Sequence, residues 1–163
     1  MSVGVVYNGS GLSTIDAKGR ATIPSALRDS VQQSSGGNIV CLSRHPIYPC
    51  LIGFGLRELN QMRDDIDEKW KASVARGEDF DREAAGASAS SMFETNFEAS
   101  GRFVLQPMLR FFSKVEDSAF FHGTYGNFLV WNPDIFLSDG PSEFGAQKDE
   151  LRYWQQETGK RIK

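Results

Sequence analysis

Thr14-Ile15-Asp16-Ala17-Lys18-Gly19-Arg20-Ala21-Thr22-Ile23-Pro24-Ser25-Ala26-Leu27-Arg28 aligns without a gap on Asn96-Phe97-Glu98-Ala99-Ser100-Gly101-Arg102-Phe103-Val104-Leu105-Gln106-Pro107-Met108-Leu109-Arg110. Five of the fifteen positions are identical, and Asp16/Glu98 and Ile23/Leu105 are close chemical matches. Average composition yields roughly one identity in such a window. The likeness resumes as pattern further on. Asn38–Leu42 answers Ser118–His122, and Cys50–Phe54 answers Asn127–Trp131. Internal similarity of this kind marks a tandem duplication.

Each copy reads the same way. A first strand, about residues 11–15 or 93–97, runs into a tight turn where Gly19 or Gly101 takes a positive φ at no steric cost. Asp16 or Glu98 stands before the turn, where a carboxylate accepts backbone N–H groups, and aspartate does so better than glutamate. Return strands over 20–23 and 102–105 stop at Pro24 and just before Pro107. Proline suits the first turn of a helix, so short helices are expected over Ser25–Val31 and Pro107–Ser113. Two more strands complete a β-β-α-β-β unit. Units of under about fifty residues bury too little apolar surface to stand alone. The expected architecture is therefore α+β, with two pseudo-symmetric units interlocked into one compact barrel-like body. The divisions fall at 10–58, 59–91, 92–134 and 135–163, as first unit, helical connector, second unit and C-terminal tail.

The connector carries Leu56, Leu59, Met62, Ile66, Trp70 and Val74 at three- and four-residue intervals, which predicts an amphipathic helix. Gly77-Glu78-Asp79 breaks it, and Phe80–Met92 is a second helical stretch. Asn132-Pro133-Asp134 reads as a capped helix start. The tail is polar, modestly helical near Leu151–Gln156, and ends in Lys160-Arg161-Ile162-Lys163, a solvated and mobile kind of end.

The 163 residues are 40% hydrophobic and 24% charged, an ordinary globular composition. No run approaches the roughly 18 apolar residues of a membrane span. Met1-Ser2-Val3-Gly4-Val5 lacks the basic flank and apolar core of a secretory leader, so a cytoplasmic protein is expected. Cys41 and Cys50 stand outside any CxxC spacing, and with only His45 and His122 besides, neither a disulfide scaffold nor a metal centre is expected. No cofactor motif occurs. Gly9-Ser10-Gly11 is too short for a phosphate loop, and no G-x-S-x-G elbow exists. Asp64-Asp65 falls on a polar helix face, and the histidines occupy non-equivalent places in the two copies. Binding is a better reading than catalysis.

Charge sharpens that reading. The formal net charge is −3, yet residues 1–57 hold five cations against two carboxylates, and the remainder holds 13 against 19. An end that touches nucleic acid has such a balance, and so does a solvated face. A turn bearing Lys18 and Arg20, with a glycine for close approach, is a compact device for a DNA groove, because arginine's forked donors suit guanine edges and phosphates. Asp16 and Arg20 can equally pair across one turn, an exposed ion pair of small energetic value.

The string Leu12–Pro24, with its partner Glu98–Leu109, resembles the MraZ family of bacterial transcriptional regulators, which has the SpoVT/AbrB-like DNA-binding fold. The resemblance covers about residues 5–135 and leaves the tail unmatched. It implies a cytoplasmic, nucleoid-associated homo-oligomer, ring-shaped, that binds short direct repeats in double-stranded DNA. Those repeats lie upstream of the division and cell-wall gene cluster, its own promoter included. Lys18, Arg20 and Arg102 are then the DNA-contacting residues, with Asp16, Gly19, Glu98 and Gly101 supporting the turns. Glu98 stands where the family has aspartate, and Gln106 where it often has an apolar residue or proline. The aromatic-proline-tryptophan character that the family shows after its first unit is also missing at Gly53-Phe54-Gly55-Leu56. The other reading is an oligomeric scaffold that kept the fold and lost DNA reading.

Overall fold

The computed structural model describes residues 4–162, and their side chains as far as residue 159. Part of the leader reading at Met1–Val5 and the reading of Lys160–Lys163 as a solvated end lie outside these described residues. The elements run β1 (Ser10–Thr14), β2 (Arg20–Thr22), α1 (Ser25–Ser35), β3 (Ile39–Arg44), β4 (Leu51–Phe54), α2 (Leu56–Ala75) and α3 (Arg82–Ser90). Then follow β5 (Phe93–Asn96), β6 (Arg102–Val104), α4 (Pro107–Ser113), β7 (Ser118–Gly123), β8 (Phe128–Trp131), α5 (Pro133–Asp139), a 3-10 turn (Ser142–Phe144) and α6 (Gly145–Ile162).

This is a mixed α+β chain with antiparallel sheets. Six strands form one sheet in the order β1-β7-β8-β4-β3-β5, and β2 and β6 form a separate two-stranded ribbon. Exchanging β1 for β5, β3 for β7 and β4 for β8 reverses that order and leaves it unchanged. First strands pair across copies, β1 with β7 and β5 with β3. The expected barrel is corrected here: β1 and β5 end the large sheet without meeting, so no closed barrel forms among the described residues. Its cause lies at the turns. After each turn the return strand leaves its own first strand and pairs with the other return strand. The Thr22 N–H donates to Ser13 Oγ instead of to a carbonyl of β1 (2.8 Å).

Period-2 burial follows from that pairing. In the ribbon Ala21 and Phe103 are directly opposed and buried, while Arg20, Thr22, Arg102 and Val104 keep solvent access. The main core gathers Ile23, Leu27 and Val31 from the first copy with Leu105, Leu109 and Val115 from the second, all at most 2% exposed. Tyr7 lies among them, its phenolic oxygen accepting the Gly55 N–H at 2.9 Å. α1 continues to Ser35, past the expected end at Val31, until Gly36 takes a left-handed φ of 67° and its N–H donates to the Gln32 carbonyl. α3 is the expected second connector helix, trimmed to nine residues, with Asp81 capping the Ala84 N–H.

A second cluster lies on the other side of the large sheet. Phe120, Leu129 and Trp131 meet Phe136 of α5 and Leu151 of α6 there. His122 sits in this cluster with its Nε2 accepting from Trp131 Nε1 at 2.9 Å, and burial lowers its pKa to about 4. α6 is far longer than the modest helix expected near 151–156. It is held by Leu151, by Ser10 Oγ donating to Glu150 at 2.6 Å, and by Trp154 Nε1 donating to Ser10 Oγ at 3.0 Å.

Because the β1–β7, β3–β5, β4–β8 and β2–β6 pairings all join the two halves, unfolding should be one cooperative transition. Calorimetry should give equal calorimetric and van't Hoff enthalpies. Two separate transitions, or a stable proteolytic fragment ending near residue 58, would contradict the exchanged pairing.

Candidate nucleic-acid interface

The two turns close in the same way. Asp16 N–H donates to the Arg20 carbonyl (3.1 Å) and Gly19 N–H to the Asp16 carbonyl (2.9 Å); Glu98 and Gly101 repeat both bonds at 2.8 Å. Gly19 and Gly101 have φ of 76° and 90°, the left-handed region expected of them. Reciprocal bonds then clamp the ribbon ends. Ile23 N–H donates to the Gly101 carbonyl and Leu105 N–H to the Gly19 carbonyl, each at 3.0 Å. The turns thus stand at opposite ends of one short ribbon, about 10 Å long at the usual strand rise.

Their side chains differ. Asp16 Oδ1 accepts the N–H groups of Lys18 and Arg20, both at 2.9 Å, and Oδ2 accepts Arg20 Nε at 2.7 Å. The Arg20 backbone N–H is the main reason the Asp16 carboxyl is held below its ordinary pKa; partial desolvation opposes it and the Arg20 guanidinium adds to it. The paired reading of Asp16 and Arg20 is therefore physically present. It leaves both terminal nitrogens of Arg20 without a partner among the described residues, on a side chain already fixed in one pose. Glu98 makes no side-chain hydrogen bond or ion pair among the described residues, to Arg102 or to anything else. Lys18 and Arg102 likewise have no carboxylate partner there, and both are exposed.

Two residues of this region escaped the sequence reading as site residues. Arg28 of α1 crosses to the second turn, donating through Nη1 to the Ala99 carbonyl (3.4 Å) and through Nη2 to the Ile23 carbonyl (3.2 Å). Arg110 of α4 crosses to the first turn. Its Nη1 lies 3.3 Å from where a Cβ on Gly19 would stand, and its Nη2 donates to the Glu116 carbonyl at 3.3 Å. Both Nε atoms are buried without a hydrogen-bond partner. Each helix thus braces the other copy's turn. Their identity at the end of the repeat was the available signal.

The geometry offers a β-ribbon whose outer face and ends carry Lys18, Arg20 and Arg102. A major groove admits a two-stranded ribbon, and arginines on it reach base edges or phosphates. Among the described residues no helix is long and apolar enough to cross a membrane. No family model matches the chain.

The curated proteins that this chain resembles are named as transcriptional regulators. The chain is 27% identical over 153 residues to the transcriptional regulator MraZ of Pseudomonas putida (strain F1), a match covering 90% of this chain and 97% of that one. The MraZ of Pseudomonas fluorescens (strain Pf0-1) matches with the same identity and coverage. That of Pseudomonas entomophila (strain L48) is 26% identical with the same coverage. These full-length matches support membership of the MraZ family. They run past residue 135, so the relatives match part of the tail that the motif resemblance left out.

Two outcomes test the turn geometry. In an NMR pH titration, the Lys18 and Arg20 amides should shift with a midpoint below the ordinary aspartate value of 3.8. A depressed carboxyl stabilises the turn at neutral pH and loses that contribution as pH falls through its folded pKa. A midpoint at or above 3.8 would contradict the turn. Gly101→Ala places a methyl 2.8 Å from the Ile23 carbonyl oxygen and 2.6 Å from Arg28 Nε at a φ of +90°. It should cost about 1–3 kcal/mol in denaturant unfolding, against no change if the turn relaxes freely.

Proposed function

We propose that this chain is a sequence-specific DNA-binding transcriptional regulator that reads DNA with the β2–β6 ribbon. Lys18, Arg20 and Arg102 are its contacting residues, and Asp16, Gly19, Glu98 and Gly101 hold the turns. The observation that carries the reading is the set of cations on one ribbon face with donor groups left unused within the chain. Arg20 is the principal contact, because Asp16 restrains its guanidinium before DNA arrives and so lowers the ordering cost of binding. Arg102 lacks that restraint and contributes less.

In this reading the two halves, 10–58 and 92–134, are SpoVT/AbrB-like units, with 59–91 as connector and 135–163 as tail. The protein works in the cytoplasm, associated with the nucleoid. A homo-oligomeric ring sets the ribbons of successive subunits on short direct repeats, upstream of the division and cell-wall gene cluster that includes its own gene. No cofactor enters the mechanism. Groove contacts discriminate sequence, and neighbouring cations bind phosphate and release counterions.

A scaffold that lost DNA reading is the competing account, favoured by the absence, among the described residues, of any hydrogen bond from the Glu98 side chain to its turn. Gel-shift measurements on the DNA upstream of the protein's own gene separate the two. Binding should exceed that on random DNA and fall steeply between 50 and 200 mM salt. Arg20→Ala removes an interaction worth about 1–3 kcal/mol per ribbon if bidentate to a base, and avidity across repeats multiplies the loss. Arg20→Ala should therefore abolish detectable binding, while Arg102→Ala weakens it less. Parental affinity in folded Arg20→Ala would overturn the proposal and favour the scaffold.

A further inference from the structure

The two copies diverge most on the outer face of their short helices. At the places where α1 has Ala26, Asp29 and Ser30, α4 has Met108, Phe111 and Phe112. Phe111 is 76% exposed and Met108 56%, far more apolar surface than a seven-residue helix ordinarily shows water. Phe111 packs edge-on against Phe112, whose ring lies under the Arg44 guanidinium at 4.9 Å. A depression of about 720 Å³ opens beside them, and the charged groups lining it are Arg44, Arg110, Lys114 and Glu116. Three cations thus rim the aromatic pair against one carboxylate.

The chain carries the complementary surface at the far end of its connector. α2 is a 20-residue helix, about 30 Å long, and its last turn leads through Gly77 into Asp81, the cap of α3. Val74 at this tip is 62% exposed. Residues 64–83 contain eight carboxylates and four cations. Two ion pairs, Arg76–Glu78 and Arg82–Asp67, use two of those carboxylates. Asp64, Asp65, Glu68, Asp79 and Glu83 have no ion-pair partner among the described residues. The basic, aromatic α4 face and the acidic α2–α3 tip are different surfaces of one chain, so a contact between them joins two copies head to tail.

We propose that the α4 face centred on Phe111 is the docking site for the α2–α3 tip of a second copy of this chain. The inference rests on the ring assembly of the proposed function and names its two surfaces. Phe111 and Met108 cover Val74 of the neighbour, while Arg44 and Lys114 meet its Asp79 and Glu83. A heterologous contact of this kind closes into a ring when the rotation between neighbours permits.

Two exposed-surface variants test it, Phe111→Glu on the face and Val74→Lys/Asp79→Lys on the tip, with Phe111→Ser as a milder substitute should the glutamate lower the melting temperature. Sedimentation velocity on the full chain at micromolar concentration and low salt should find a multi-subunit species for the parent and single chains for each variant. Mixing the face variant with the tip variant leaves one intact face and one intact tip in the mixture, so it should yield a 1:1 dimer and nothing larger. A parent that is monomeric would overturn this proposal and the ring together. An assembled parent with equally assembled variants would overturn the docking site and leave the ring standing. Monomeric variants that fail to dimerise on mixing would show a symmetric contact instead. Full assembly of Phe111→Glu with loss of upstream DNA binding would make the face a DNA contact, and equally overturn the proposal.

Discussion

Everything in this molecule hangs on the pairing of β2 with β6. Three residue pairs long, it is buttressed by Ala21 against Phe103 on the buried side and by the Ile23–Gly101 and Leu105–Gly19 bonds at its ends. Neither return strand has a ladder partner in its own half. Remove the exchange and each copy keeps a first strand, a turn and an unpaired return strand, with Ile23 and Leu105 exposed to water. The same exchange sets two chemically similar turns at fixed separation on one ribbon, which is what a recognition surface requires. Folding and the site are therefore one constraint. Arg28 and Arg110 follow the same logic, since each bridges from its own helix to the turn of the other copy.

Much of this was legible in the residues, and the failures have definite causes. The turns were readable because Gly19 and Gly101 are required by positive φ, and the start of α4 because Pro107 can only begin a helix there. Periodicity tells which face of a strand is buried but is silent about which strand lies beside it. Hence the barrel expectation failed although its strands were placed to within a residue or so. α6 was underestimated because its sequence is mostly polar, with few apolar positions to mark a face. Leu151 and Trp154 are its apolar docking residues among the described ones, and their burial depends on residues distant in sequence such as those of β1 and β7. Arg28 and Arg110 looked like ordinary helix cations, and only the crossing of α1 and α4 over the opposite turns makes them part of the site.

Divergence between the copies is informative for the same reason. Asp16 is short enough for its carboxylate to fold back onto two N–H groups and the Arg20 side chain, whereas Glu98, one methylene longer, makes no such contact. The first turn is consequently a rigid presenter of arginine, and the second is held by its backbone, its glycine and Arg28. Freed from an identical role, the second copy's helix carries Met108 and Phe111 outward where the first carries Ala26 and Asp29.

The central claim is that a single ribbon, contributed by both copies, is the surface that meets DNA. Hydrogen exchange read by mass spectrometry, with and without a duplex of the upstream sequence, tests it most directly. The account predicts new protection over residues 16–22 and 98–104 together, with the α2–α3 tip unaffected by DNA at fixed assembly state. Protection confined to one turn, or absent from both while another surface gains it, would contradict the account.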